Sequence, residues 1–215
     1  YFLCRLPSCY WQNQYFQTAE YGIRPVMGVM LSSLEKISLG MTVSKVLLFS
    51  THETAQITIK QTTDTNIVLP TSLKSSHKRD TPANINLGAA YFSSEELLFS
   101  TDLNFYQATD DGEAVINASL GVEAFLSPEW ALRTGIFTNF SNRPDIKKNK
   151  LNQQEHIDFI GLSASISRFT RNSALTFGFS YSGGSGDAQV TSDSQAIQSV
   201  SAQALSVFMS ATYSY

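Results

Sequence analysis

The chain has 215 residues, of which 42% are hydrophobic and 15% are charged, and its formal net charge is -3. An average soluble domain has about 25% charged residues, so this chain is poor in charge. Its acidic balance offers no basic surface, and we expect no nucleic-acid partner. The sequence contains no run of about 18 apolar residues, which argues against a membrane protein built from helices.

Residues 1–19 are rich in aromatic side chains but show no sustained period, so we predict an irregular segment there. Cys4 and Cys9 are the only cysteines. Two cysteines with no histidine nearby argue against a metal site, and we interpret them as part of a short surface loop that a disulfide could close in an oxidising compartment. The chain begins at Tyr1 without a signal-peptide pattern, so we expect a processed chain or a fragment.

From residue 21 onward, apolar residues alternate with small or polar ones, the period-two pattern of strands with one apolar face. The pattern predicts about nine antiparallel strands. They lie at 21–32, 36–48, 83–92, 97–106, 114–126, 130–140, 157–168, 175–181 and 205–215. Residues 49–80 are polar with a weak alternation at 54–60, so we predict a long loop that allows a strand extension.

The stretch 114–141 shows the pattern most clearly. Leu120 and Ile136 belong to the apolar rows of its two strands, and the opposite rows are small or polar. With Pro128 in the turn, Glu123 and Arg133 fall opposite each other, and we predict a cross-strand ion pair. Neither charge belongs on a face that touches hydrocarbon, so this hairpin predicts an apolar outside and a polar inside.

Alternation alone is equally typical of a soluble antiparallel sandwich, whose apolar face is the core. Strand lengths near the ~9–11 residues that cross a bilayer, and connections that alternate short and long, favour a transmembrane β-barrel instead. Aromatic residues at strand ends would suit the membrane interfaces. These are Tyr91, Trp130, Phe140, Tyr181, Tyr213 and Tyr215. Glycines recur on the polar rows, where they let a sheet curl. These are Gly28, Gly40, Gly88, Gly121, Gly135, Gly161 and Gly178.

An odd number of strands cannot begin and end on the same side of a membrane. If Tyr215 lies in the periplasm, the long connections are external, and the chain is the C-terminal part of a larger all-β, antiparallel transmembrane barrel. On this prediction, residues 1–19 are an irregular external-loop segment, and 20–215 are the barrel portion with 49–80 as a long external loop.

Five motifs follow one another along the chain: Pro82…Gly88…Tyr91, Asp102…Tyr106, Gly121-Val122-Glu123, Leu132-Arg133-Thr134-Gly135 and a final aromatic strand. Their order, from about Tyr21 to Tyr215, resembles the C-terminal portion of the FadL-type long-chain fatty-acid transporters of the bacterial outer membrane. The resemblance implies an integral outer-membrane barrel of a Gram-negative bacterium that takes up fatty acids or similar hydrophobic molecules by passive diffusion. The family's plug and side opening lie in parts that this sequence does not contain.

The resemblance also implies contact with outer-membrane lipid and lipopolysaccharide, a monomer, no cofactor, and a hydrophobic landing site on external loops. The landing residues would be Tyr10, Trp11, Tyr15 and Phe16. Packing between loops is the alternative role for these aromatics.

The polar rows predict a set of inward-facing residues that either line a permeation route or form an interior polar network. They are Asp102, Asn104, Asn117, Glu123, Phe125, Arg133, Phe137 and Asn139. We predict a passive, non-enzymatic channel without catalytic residues or a metal, and the alternative is a non-transporting structural or adhesive barrel. A barrel hydrolase is a third hypothesis, for which His156 with Asp158 is the best candidate pair, although abundant serines make such coincidences weak evidence.

Overall fold

The computed structural model describes residues 2–5, 8–61, 71–75, 80–151, 153–190 and 195–213. In these ranges the chain is all-β, and every strand pairs antiparallel with its neighbours. The strands are β1 (Phe2–Arg5), β2 (Ser8–Ile23), β3 (Val26–Leu34), β4 (Ile37–Lys45), β5 (Leu47–Gln61), β6 (Thr71–Ser75), β7 (Ala83–Phe92), β8 (Leu97–Tyr106), β9 (Val115–Ser127), β10 (Trp130–Asn139), β11 (His156–Phe169), β12 (Ser173–Ala188) and β13 (Gln198–Tyr213). None of the described residues forms a helix long and apolar enough to span a bilayer.

The chain divides into two compact units. The first unit comprises Tyr1–Pro25 and Val46–Thr81, and the second comprises Val26–Lys45 and Pro82–Tyr215. Each unit contains one sheet.

The first unit contains a four-stranded sheet in the order β1-β2-β5-β6. The prediction of an irregular segment at 1–19 is wrong for residues 2–5 and 8–19, which are strands. Both rows of β2 mix aromatic and polar residues, so no alternation marks it in the sequence, but its main chain pairs with β5 from Tyr10↔Gln61 to Ile23↔Leu47. Such pairing satisfies the backbone whatever the side chains are. The backbone of β1 and β2 also places Cys4 opposite Cys9.

The long loop predicted at 49–80 is also partly wrong. Residues 49–61 belong to β5, so the predicted strand extension at 54–60 is confirmed. The short strand β6 pairs with the edge of β5 that faces away from β2. The remainder, at 62–70 and 76–79, lies outside the described residues.

The second unit contains a nine-stranded antiparallel sheet in the order β13-β12-β11-β10-β9-β8-β7-β4-β3. The predicted nine strands are confirmed, with changes of boundary. The second predicted strand, 36–48, ends at Lys45, and its last two residues begin β5. The first strand begins at Val26, because Pro25 lacks the N–H that a sheet interior needs. The last two strands are longer than predicted, since the Gly/Ser-rich residues of β12 pair with the start of β13 as far as Ala188↔Gln198.

Connections at the two ends of this sheet differ in length, as predicted. At one end, which we call the short-turn end, strands join through 35–36, 93–96, 128–129 and 170–172. At the other, the long-connection end, they join through 107–114, 140–155 and 189–197.

The register keeps two kinds of side chain on opposite faces across the whole sheet, because directly paired residues share a face. We call the face that carries Leu120 and Ile136 the apolar face; its pairs include Leu87↔Leu103, Ile136↔Leu120 and Ile166↔Phe177. We call the face that carries Glu123 and Arg133 the polar face; its pairs include Gly40↔Gly88, Ser163↔Ser180 and Thr176↔Ser210.

The strands of the second unit form one layer: each contacts only its sheet neighbours, apart from β11 and β13, which flank β12. Leu120, Ile136 and Phe177 on the apolar face are 55%, 58% and 53% exposed. The soluble-sandwich alternative requires these side chains to interlock in a dry core, and the described part of the unit contains no such core.

Aromatic residues lie at the short-turn end of the apolar face, as predicted for Tyr91, Trp130 and Tyr213. The guanidinium carbon of Arg168 lies 5.6 Å from the centroid of the Trp130 ring, a cation–π contact. Tyr181 instead lies within β12 rather than at its end, because that strand continues to Ala188.

Candidate functional site

All eight residues predicted to face inward lie on the polar face. The register pairs Asn104↔Asn117, Asp102↔Ser119, Arg133↔Glu123, Phe125↔Ala131, Phe137↔Gly161 and Asn139↔Phe159. They extend from the short-turn end at Phe125 to the long-connection end at Asn139 and form separate clusters along the face.

The predicted ion pair between Glu123 and Arg133 is confirmed: Arg133 Nη2 lies 2.6 Å from Glu123 Oε1. Arg133 also donates from Nη1 to Ser167 Oγ, and Ser167 Oγ lies 2.7 Å from Thr176 Oγ1. This polar network connects β9, β10, β11 and β12 near the short-turn end. Ser167 is fully buried, so its hydroxyl depends on these partners.

Sequence reasoning missed Ser167 and Thr176 as members of the network. Ser165, not Ser167, lies directly opposite Arg133. A long side chain also reaches the diagonal neighbour two residues along the facing strand. A sequence signal for the contact does exist. It is an arginine on a polar row beside a strand that carries serine both at the directly opposite position and at the diagonal one.

The other polar residues of the predicted set, three asparagines and Asp102, divide into those with a side-chain hydrogen bond and those without one. Asn117 Oδ1 accepts from the backbone N–H of Phe140 at 2.6 Å, so this side chain caps the end of β10. Asp102 Oδ2 accepts from Ser119 Oγ at 3.3 Å. Asn104 and Asn139 make no side-chain hydrogen bond to the residues that the structure describes.

Several aromatic rings interrupt the polar face, and three of them make the contacts described here. Phe125 stacks with Phe169 at 6.4 Å between ring centroids. Phe137 covers Gly161, where an added Cβ would overlap the ring. Phe208 covers Gly178 in the same way. The two aromatic–glycine pairs present flat apolar ring surfaces on a face that otherwise carries many serine and threonine side chains.

Sequence reasoning identified Phe125 and Phe137 but not Phe169 or Phe208. Phe208 lies directly opposite Gly178 in the register. A glycine facing an aromatic residue across a strand pair is a known stabilising arrangement. The sequence places Gly178 on a polar row, but it does not determine which residue of β13 pairs with this glycine.

The proposed landing residues do not form one surface in the described part of the chain. Tyr15 and Phe16 are both exposed and are adjacent in β2, so they point to opposite sides of that strand. Tyr10 and Trp11 belong to the same strand, but their side chains lie outside the part of the chain that the structure describes.

His156 contacts loop residues. Its Nδ1 donates to the backbone carbonyl of Arg143, and its Nε2 lies 3.7 Å from Asp158 Oδ1. Asp145 Oδ1 lies 3.8 Å from Nδ1. No described serine is hydrogen-bonded to His156. Across the described ranges, no group of three or more His, Cys, Asp or Glu residues could hold a metal ion.

Family models, curated proteins and solved structures gave no match to this chain. The candidate site is therefore defined by the geometry of the polar face and by the contrast with the apolar face behind it.

Proposed function

We propose that the nine-stranded sheet is part of a transmembrane β-barrel in the outer membrane of a Gram-negative bacterium, and that this barrel is a passive channel for hydrophobic molecules such as long-chain fatty acids. The exposed apolar face carries the proposal. Monomeric soluble proteins rarely expose apolar patches of more than a few hundred Å². A bilayer accepts such a face, since the main chain within the sheet is already paired.

The dimensions of the apolar face support a membrane location. On β8 the apolar row runs from Leu97 to Phe105, roughly 27 Å along the strand. At the ~40° tilt of strands in membrane barrels this corresponds to about 20 Å along the membrane normal, close to the ~25 Å apolar band of such barrels. The aromatic residues at the short-turn end then lie at one membrane interface.

The polar face supports a route for hydrophobic solutes through the aromatic–glycine pairs. Phe137 over Gly161 and Phe208 over Gly178 provide flat apolar contacts on a face that otherwise carries many serine and threonine residues. Weak, separated contacts let a solute bind and leave again, as passive diffusion requires. The channel needs no cofactor and no catalytic residue, and it acts as a monomer.

A second candidate is a non-transporting structural or adhesive barrel. The polar network of Glu123, Arg133, Ser167 and Thr176 favours it, because these groups bond with one another and leave little to offer a solute. Such a network fixes the register of strands and fills the interior.

One fluorescence experiment separates the two candidates. The native Trp11 and Trp130 are replaced by Phe, and a single tryptophan is introduced by Phe137→Trp or Leu120→Trp in the full chain, reconstituted in phosphatidylcholine vesicles. Brominated phospholipid should quench the tryptophan at 120 but not at 137. Brominated stearate should then quench the tryptophan at 137 with a saturable dependence on concentration if the barrel transports.

The outcomes are distinct for each proposal. Absence of saturable quenching at position 137, with quenching at 120 retained, supports the structural barrel and contradicts transport. Absence of quenching at 120 by brominated phospholipid contradicts the membrane location itself.

A further inference from the structure

The start of the connection 140–155 is hydrogen-bonded to side chains on the apolar-face side of the sheet. The backbone N–H of Ser141 donates to Asp158 Oδ1 at 2.8 Å, and His156 Nδ1 donates to the carbonyl of Arg143. His156 and Asp158 belong to the row of β11 that continues into Ile160. Since residues two apart share a face, both lie on the apolar-face side. These bonds hold the start of the connection just beyond the end of the apolar rows.

Three ammonium groups in this connection have no partner in the described part of the chain. Lys147, Lys148 and Lys150 are exposed, and no described carboxylate forms an ion pair with any of them. Glu155 does not neutralise them, because Arg143 Nη1 lies 2.7 Å from Glu155 Oε1. A backbone hydrogen bond and then Arg143 lower the pKa of Glu155, which keeps that pair charged.

The turn that carries the lysines is organised by two glutamines. Gln153 Oε1 accepts from the N–H of Lys147 at 2.8 Å, and Gln153 Nε2 donates to the carbonyls of Lys147 at 2.6 Å and Lys150 at 3.1 Å. From beyond β12, Gln189 Nε2 donates to the carbonyl of Lys150 at 2.7 Å, and its Oε1 accepts from the N–H of Gln153 at 3.1 Å. A preformed turn reduces the entropy that a ligand must overcome when it binds.

A depression of about 420 Å³ lies beside this turn. Its lining residues are Asp111, Arg143, Pro144, Asp145, Lys147, Lys150, Gln153 and Gln154. The lining combines cationic side chains, amide groups and two carboxylates, a set that matches a phosphorylated sugar, whose hydroxyl groups can donate to the two carboxylates.

We propose that this turn binds a phosphate group of a membrane glycolipid whose acyl chains lie along the apolar rows beneath it. Lys147, Lys148 and Lys150 contact the phosphate as point charges. The long-connection end is the external end in barrels of this kind, so the partner is a glycolipid of the outer leaflet. This inference rests on the proposed function, because it requires the apolar face to contact lipid.

The test compares glycolipids with and without phosphate on the full chain in detergent micelles. Native mass spectrometry measures the Kd for bisphosphorylated lipid A and for the same glycolipid after enzymatic dephosphorylation. The triple variant Lys147→Gln, Lys148→Gln, Lys150→Gln should bind lipid A about 10- to 100-fold more weakly, since each lysine near an anionic surface contributes modestly and the contributions add. The corresponding triple arginine variant should bind within about threefold of the native chain, because it keeps all three charges.

Two further variants distinguish position from charge. Gln153→Ala keeps every lysine but removes the contacts that hold the turn, and it should weaken binding by several-fold. Lys36→Gln with Arg171→Gln removes two positive charges at the short-turn end and should leave binding unchanged. Circular dichroism checks that each variant keeps its strand content.

Equal affinity for the dephosphorylated glycolipid overturns the inference. Displacement of lipid A by an equal concentration of inorganic phosphate also overturns it, because the ligand would then be free phosphate. If brominated phospholipid quenches the tryptophan at 120 while the triple glutamine variant binds lipid A normally, this inference fails and the membrane location stands.

Discussion

The two faces of the nine-stranded sheet differ in where their side chains find partners. On the polar face, Glu123, Arg133 and Ser167 bond with one another within the chain. On the apolar face, Leu120 and Ile136 contact cross-strand neighbours but remain more than half exposed. The polar face is therefore stabilised by specific interactions inside the protein, whereas the apolar face requires a medium outside it. Substitutions on the two faces should respond to different variables.

The largest effect should come from Leu120→Arg on the apolar face. In a bilayer, a charge near the middle of this face costs about 2–4 kcal/mol of folding free energy. In water, the same change at an exposed position should cost less than about 0.5 kcal/mol. Urea titration of the full chain folded into phosphatidylcholine vesicles measures the difference.

Ser180→Arg provides the matched control, because it places the same charge on the polar face of the same sheet, in β12. We expect it to destabilise far less than Leu120→Arg. Similar small costs for both variants would contradict the assignment of the apolar face to lipid.

The division into two faces could be predicted from the sequence because it depends only on alternation. The contact between Glu123 and Arg133 could also be predicted, since the turn at Pro128 fixes the register of that hairpin. In both cases the determining information lies within a few residues of chain. The two faces and the ion pair are therefore determined by local sequence, and the strand register extends the two faces across the sheet.

Other features could not be predicted because they depend on more than local pattern. The strand at 8–19 has no apolar row, so only its pairing with β5 reveals it. Ser167 joins the polar network through a diagonal contact, which depends on the conformation of the Arg133 side chain and not on direct cross-strand pairing. The glutamine contacts that organise the lysine turn link residues far apart in the chain, as Gln189 and Lys150 show.

An intermediate effect should follow from Gly161→Ala on the polar face. The new Cβ would overlap the ring of Phe137, so the ring or the strand must shift, at a cost of about 1–3 kcal/mol. Gly40→Ala is the matched control, because no atom lies within 4 Å of the Cβ it would add. Chemical denaturation in vesicles measures both variants, and equal stabilities would show that the aromatic–glycine contact does not hold the ring in place.

The smallest effect concerns the coupling between Glu123 and Arg133. A double-mutant cycle of Glu123→Ala and Arg133→Ala should give a coupling of about 1 kcal/mol, because the pair is partly sheltered, with side chains 18% and 38% exposed. Removing one partner alone should lower the free energy of unfolding by more than that residue's share of the coupling energy, because the remaining charge loses its counter-ion. The matching cycle on the more exposed Arg143 and Glu155 should give at most about 0.5 kcal/mol. If the first coupling does not exceed the second, the polar network only fills space, and the stability of the polar face must come from the packing of Phe125, Phe137 and Phe208 instead.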